Sequence, residues 1–367
     1  MLSAHTGCDC DPRCVLFRRH RLLPIAFVIA LAVTVTLAAP LARADAATTS
    51  VSIGAGLRGP SGLTATVYAK KFKKISALAT DAQGRIWAAT AEATDKNTDA
   101  IYLVPEAGAT PVKVVTDVHT PLGLLWVGDT LYVSQTGGVL ALSGFDGTSF
   151  ATRTTVLAIP DGTGEVNGIA QGRDGRLYAG ISAPCDHCTP TAQWSASVIS
   201  FLPDGSDVQV EADGIRAAVG LSFYPGTTDL FVTMNQRDDL GKKTPGDWLA
   251  VVQSGQSWGF PGCYGQGGSA CSGVPSPVAV LDKHAAVSGV AIVTGQLGTK
   301  VGTGAVVAEW VSGKVKFVRL THTSAGYSGT TKTFLTGFQN PVPVLIDATG
   351  ALFVGDWTTG TLYRITS

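Results

Sequence analysis

Charge is scarce in this chain: Asp, Glu, Lys and Arg make up 15% of the 367 residues, and 27 basic side chains balance 27 acidic ones. No basic stripe or patch breaks that balance, so the electrostatic footprint of a nucleic-acid binder is missing. Few segments carry the 3.6-residue apolar period of long amphipathic helices, which argues against a helical architecture. GxSxG, HExxH, Walker and dinucleotide-binding glycine motifs do not occur in a supporting context, so the usual sequence grounds for those enzyme classes are lacking. No shift in composition marks a second domain.

One long uncharged run exists, Leu22 to Ala42, and it lies at the N-terminus behind Arg18, Arg19 and Arg21. Ala42-Arg43-Ala44 follows with small residues flanking the last arginine. This is the layout of a secretory signal peptide, although the run is also long enough for an uncleaved anchor. The expectation is a leader over residues 1–44, cleaved after Ala44, and a secreted domain over 45–367 with no membrane span. Cys8, Cys10 and Cys14 belong to the leader; Cys185, Cys188, Cys263 and Cys271 remain. An even number in an exported chain favours local disulfides, Cys185–Cys188 and Cys263–Cys271. A metal knuckle or redox pair is the alternative for Cys185-Asp186-His187-Cys188. That stretch lacks the histidine after the second cysteine that haem attachment needs, and it has no second knuckle for zinc.

What is abundant is glycine, 44 residues in a chain that is 45% hydrophobic, which suits a fold with many tight turns. One unit recurs: an apolar strand, a turn built on Asp or Gly, and a second apolar strand. It starts at Ile75, Pro121, Val166, Ala218, Val287 and Pro341, at intervals of 45 to 69 residues. Such a unit cannot cover its own apolar faces, whereas radial stacking buries both and leaves only short edges. The fold class is therefore all-β, a six-bladed β-propeller, with almost no helix after residue 45. The segment Thr64–Ala69 precedes the first unit and is expected to pair with the C-terminal blade, closing the ring.

The stretch from Asp213 to Gly265 is the most specific. It reads as a loop carrying Arg216, strands over Val219–Tyr224 and Asp229–Met234, a polar loop from Asn235 to Gly246, and a strand over Trp248–Val252. Trp248, Trp258, Phe260 and Tyr264 frame the polar loop, so it reads as held in place. GIR…GLSF.PGT.DLFVT, NQRDDLG…TPGDWL and G..WGFP.CYG resemble the soluble glucose and sorbosone dehydrogenases, six-bladed propellers that use pyrroloquinoline quinone (PQQ) with calcium. The resemblance is sharp here and weaker over most of the remaining chain.

The resemblance implies a site at one mouth of the channel. Arg216 matches the arginine that contacts the quinone; a planar guanidinium suits a carboxylate-bearing cofactor, and a salt bridge between blades is the structural alternative. Asn235, Gln236 and Arg237 fall on the cofactor loop, where Gln236 and Arg237 match positions that bind calcium through main-chain carbonyls. Asp247 matches an acidic residue of a neighbouring calcium site. Solvated turn residues are the alternative for Asp238, Asp239 and Asp247. His284, in DKHAAVSG, resembles the HSAPLG segment of the sorbosone branch and reads equally as a mouth residue or a hydrogen-bonded loop histidine.

Departures from the pattern bear on activity. The family's base is a histidine in the loop leading into the third unit, but here that loop reads GTGEVNGIA. Removing a hydride from a sugar C–OH needs a group to take the hydroxyl proton. Glu165 is the nearest titratable candidate, Asn167 cannot serve, and His187 lies in the following loop. Ala217 stands where the family often has Asn, and where the family supplies extra cationic contacts this chain reads WVSGKV (310–315) and FQNPV (338–342), with no Arg before Pro341. The function implied is a PQQ- and Ca2+-dependent dehydrogenase acting on an aldose or related sugar, with an external electron acceptor. Its rivals are a non-catalytic binding propeller that has lost the base and a metal-dependent lactonase-like hydrolase.

Overall fold

The computed structural model describes residues 50–367; the leader, the cleavage site after Ala44, and Cys8, Cys10 and Cys14 lie outside the described residues. Each recurring unit supplies the two inner strands of one blade. The innermost strands are Ile75–Thr80, Gly123–Val127, Val166–Gln171, Ala218–Phe223, Val287–Thr294 and Pro341–Ile346. Each heads one of six sheets, and each packs against the next around a closed ring. The helical elements among the described residues are two three-residue 3-10 turns, Gly241–Lys243 and Ser269–Cys271. No helix among the described residues is long and apolar enough to cross a membrane.

Local chemistry explains the repeated hairpin. In the first blade Asp81 Oδ1 accepts the N–H groups of Gln83 and Arg85, both at 3.0 Å, and Gly84 turns the chain at φ 75°. Asp347 does the same in the sixth blade, accepting from Thr349 and Ala351 at 2.9 Å. The aspartate satisfies the turn's amides, and glycine takes the left-handed position without steric cost. At the channel, small residues let neighbouring backbones touch: a Cβ on Gly168 would stand 2.7 Å from the Val219 carbonyl oxygen, and one on Gly289 2.8 Å from that of Val342. Hydroxyls stitch one blade to the next. Ser76 donates to Pro121 O at 2.6 Å, Thr233 to Ser288 O at 2.6 Å, and Ser288 to Val342 O at 3.0 Å.

Closure occurs where expected. Thr64–Ala69 forms the outer strand of the sixth blade, antiparallel to Thr361–Thr366, with Ala65 opposite Ile365 and Ala69 opposite Leu362. Two additions were not expected. The hairpin of Ser50–Gly54 and Leu57–Pro60 extends the fifth blade, pairing Arg58 with Thr336. Gln256–Ser257 adds a short parallel strand to the third blade. Between blades the interior is apolar: Trp87, fully buried, meets Trp126, Phe145 and Phe150 at the contact of the first and second blades. Both expected disulfides form, Cys185–Cys188 and Cys263–Cys271.

The antiparallel order sends two kinds of loop to the same end of the channel: those leading into each inner strand and those joining the second and third strands of a blade. The channel waist, about 120 Å3, is lined by glycine, serine, aliphatic residues and Pro343. Among the described residues it carries no titratable side chain, whereas Glu165, Asp186 and Arg216 stand on loops at the end where the inner strands begin.

Candidate active site

Four loops of that mouth enclose a pocket of about 500 Å3 lined by Thr136, Thr163, Glu165, Cys185, Asp186 and Arg216 among others. Glu165 and Arg216, singled out from sequence, therefore share one pocket. Glu165 stands on the loop leading into the third blade, whose backbone is tied down because its carbonyl accepts the Ser182 N–H at 3.0 Å. Its exposed carboxylate makes no hydrogen bond or ion pair with any described residue. Asn167 is buried beneath, donating its amide to Ser182 Oγ at 2.9 Å.

Arg216 arrives on the loop between the third and fourth blades. Its Nη2 lies 2.8 Å from Asp186 Oδ1, its Nε donates to the Asp186 carbonyl at 3.1 Å, and its Nη1 donates to Asn235 O at 3.5 Å. The Asp186 carboxylate also accepts the main-chain N–H groups of Asp238 and Asp239, each at 2.9 Å. Cys185 and Cys188 bracket this aspartate through their disulfide. Nothing in the sequence pairs Asp186 with Arg216: they lie thirty residues apart on different loops, with no periodicity linking them.

The polar loop beyond Met234 is internally wired. Gln236, Arg237 and Asp247 are buried. Arg237 grips Asp239 with two bonds of 2.6 and 2.5 Å and lies 4.9 Å over the Tyr264 ring. Asp247 turns one oxygen to the Gln236 N–H and the other to that of Val287. Burial pushes its carboxyl up to about 6, against the pull of those two amides. His284 places Nδ1 2.6 Å from Asp238 Oδ1 and donates Nε2–H to Gly241 O at 2.8 Å. Those two acceptors raise its pKa, and they make it a clasp between this loop and the one leading into the fifth blade.

Two further groups of the rim escaped sequence reading. His119 Nδ1 sits 2.6 Å from Asp95 Oδ2, and the His119 carbonyl accepts the N–H of Thr136, a pocket residue, at 2.9 Å. Lys74 lies 3.6 Å over the Trp357 ring, which meets Trp310 edge-on at 5.7 Å. The rim of the fifth and sixth blades thus carries an aromatic pair with one ammonium laid against it.

A PQQ carboxylate would need Arg216, and the guanidinium does face a pocket of suitable size and polarity; the fit holds once Asp186 leaves it. For calcium, the loop offers Asn235 Oδ1 and Thr244 Oγ1, buried oxygens without partners, beside the unpartnered amide nitrogen of Gln236. The oxygens suit a hard cation, and the nitrogen does not. Among the described residues no group of three or more His, Cys, Asp or Glu side chains is placed to hold a metal, so main-chain carbonyls would carry such a site.

No family profile and no curated protein sequence matches this chain. Solved structures do. The holo PQQ domain of pyranose dehydrogenase from Coprinopsis cinerea superposes with a TM-score of 0.70 at 14% identity, covering 85% of this chain and 97% of that one. The putative oxidoreductase (glucose dehydrogenase) of Thermus thermophilus gives 0.65 at 17% identity, covering 83% of this chain and 100% of that one. The PQQ-bound aldose sugar dehydrogenase of Streptomyces coelicolor gives 0.63 at 19% identity, covering 84% and 99%. At such identities the likeness is one of fold: this chain is a six-bladed propeller built as those sugar dehydrogenases are.

Proposed function

We propose that the chain is an exported, PQQ- and calcium-dependent dehydrogenase that oxidises an aldose or related sugar at this pocket. The observation that carries the proposal is the meeting of Arg216 with the uncommitted Glu165 carboxylate in one polar cavity of about 500 Å3. That cavity opens at the loop-bearing mouth of a propeller whose structural neighbours include PQQ-bound sugar dehydrogenases. When bound, the quinone supplies the hydride acceptor. Arg216 holds a cofactor carboxylate through parallel N–H bonds, which a planar fork makes with geometric selectivity. Glu165 takes the proton of the sugar hydroxyl, and Thr136 and Thr163 offer hydroxyls to the sugar ring. The main-chain carbonyls of Gln236 and Arg237, with Asn235, Thr244 and Asp247 nearby, are the oxygen donors for calcium. The two electrons removed leave to an external acceptor.

A non-catalytic binding propeller is the second reading. It is favoured by the Arg216–Asp186 pairing and by the lack of histidine among the described residues lining the pocket. A lactonase-like hydrolase is less well supported, since it calls for several carboxylates converging in the channel, whose waist has none. Reconstitution with PQQ and Ca2+ separates the readings: fluorescence quenching reports binding, and dye reduction over a sugar panel reports turnover. Quenching without dye reduction on any sugar selects the binding propeller, and neither signal rejects the PQQ reading.

A further inference from the structure

Asp186 is bonded as a bound ligand would be. Its Oδ1 meets Arg216 Nη2 at 2.8 Å and the Asp238 N–H at 2.9 Å, while its Oδ2 meets the same N–H at 3.1 Å and the Asp239 N–H at 2.9 Å. Consecutive main-chain amides aimed at one carboxylate, backed by a guanidinium, form an anion-binding concavity. The side chains of the amide donors are held elsewhere. Asp238 is bound by His284 at 2.6 Å and Asp239 by Arg237 at 2.5 Å, so both carboxylates are engaged away from the concavity while their N–H groups face it.

We infer that Arg216 and the Asp238 and Asp239 amides form a carboxylate receptor, that Asp186 fills it as an internal ligand, and that an external carboxylate binds by displacing Asp186. The identification of that external ligand as PQQ rests on the function proposed above; the receptor itself does not. Among the described residues, the ionisable side chains lining this pocket are Glu165, Asp186 and Arg216. With Asp186 in place the guanidinium is neutralised, and Glu165 leaves the pocket acidic, which opposes a polyanionic cofactor. With Asp186 withdrawn, the guanidinium meets the incoming carboxylate unpaired.

The geometry permits withdrawal. Asp186 lies in an irregular loop, and its side chain is 35% exposed, so the ion pair sits at the solvent boundary, where such pairs are weak. Cys185–Cys188 closes a tight loop around it, so the aspartate is carried on a small closed turn. The base of the turn is anchored at Ala183, whose N–H donates to Arg216 O at 2.6 Å; beyond it the turn's remaining ties to the receptor are the Arg216 Nε bond to the Asp186 carbonyl at 3.1 Å and His187, which reaches Asp239 only at 3.9 Å.

The test uses the full secreted domain with sodium formate and PQQ as probes. Asp186→Ala should lower Tm by about 2–4 °C, the shift expected for losing a modest interaction in a domain of this size. Formate should restore that loss relative to equal sodium chloride. Wild type, whose receptor is filled, should not respond, and neither should Asp186→Ala combined with Arg216→Ala. In parallel, Asp186→Asn, which keeps the side-chain shape, should bind PQQ about tenfold more tightly than wild type by fluorescence quenching. Apparent affinity falls in proportion to the fraction of receptor left open, and that fraction rises when the internal carboxylate is removed. An Asp186→Ala melting curve indifferent to formate overturns the receptor, and equal PQQ affinity in wild type and Asp186→Asn overturns displacement. Formate rescue with no PQQ binding by any variant upholds the receptor and rejects the PQQ reading.

Discussion

Asp247 Oδ1 accepts the Gln236 N–H at 2.9 Å, fastening the start of the polar loop to its end. The other oxygen reaches the Val287 N–H at 3.3 Å, at the start of the inner strand of the fifth blade. One buried carboxylate thus sets the loop that carries Asn235, Gln236 and Arg237, the residues proposed to face the cofactor.

That placement has a pH signature. Burial raises the folded-state pKa of Asp247 to about 6, above the unfolded value of about 4. Between those values the folded state binds the extra proton, so this group's contribution to stability falls as pH rises through about 4 to 6. Asp247→Asn removes the charge and keeps an oxygen for the Gln236 amide, though it weakens the contact to Val287. In chelator, the variant should match or trail wild type at pH 4 and exceed it by about 1–2 kcal/mol at pH 7. A stability difference that stays constant from pH 4 to pH 7 in urea titrations would contradict this.

Calcium should reverse that relationship by giving the carboxylate and the nearby carbonyls a cation. At a hundredfold excess over Kd, selective binding to the folded state stabilises by about 2.7 kcal/mol. Wild-type Tm should therefore rise with calcium and fall back with chelator, and Asp247→Ala should blunt the response. Thermal melts indifferent to both additives remove the metal from this loop.

Much of the architecture was legible because burial dictates it. Six apolar hairpins with Asp/Gly turns each need a neighbour, and Thr64–Ala69 was left over to close the ring. The hairpin Ser50–Pro60 on the fifth blade was not legible, because an edge strand pairs through backbone groups that any sequence carries. The candidate site was half legible. The family resemblance pointed to Arg216, and proximity in sequence pointed to Glu165, which the fold brings into the same pocket. Asp186 and the His119–Asp95 pair were missed because loops from different blades meet at the mouth without any sequence period to announce it.

Ring closure can be weakened from inside. Phe353 is 1% exposed in the sixth blade, and its ring meets Tyr68 of the closing strand edge-on at 4.9 Å. Phe353→Ala should cost about 3–5 kcal/mol through lost burial and the cavity left behind. Because the closing strand holds the N-terminal side of the ring to the C-terminal blade, limited proteolysis should then cut first near residues 64–74. Unchanged stability, or first cleavage elsewhere, would count against this contact as the clasp.

The identity of the base divides enzyme from relic. Among the described residues the Glu165 carboxylate has no partner, and it lies in the pocket that holds Arg216. Glu165→Gln should lower kcat about 10²–10⁴-fold, the usual worth of a positioned base. The same variant should bind PQQ as wild type does or slightly better, since it removes a negative charge from the pocket, whereas Arg216→Ala should weaken PQQ binding. Steady-state dye reduction beside quenching titrations separates these effects. Rapid turnover by Glu165→Gln with PQQ bound would reject Glu165 as the base and leave the dehydrogenase reading standing, with His119 the next residue to substitute.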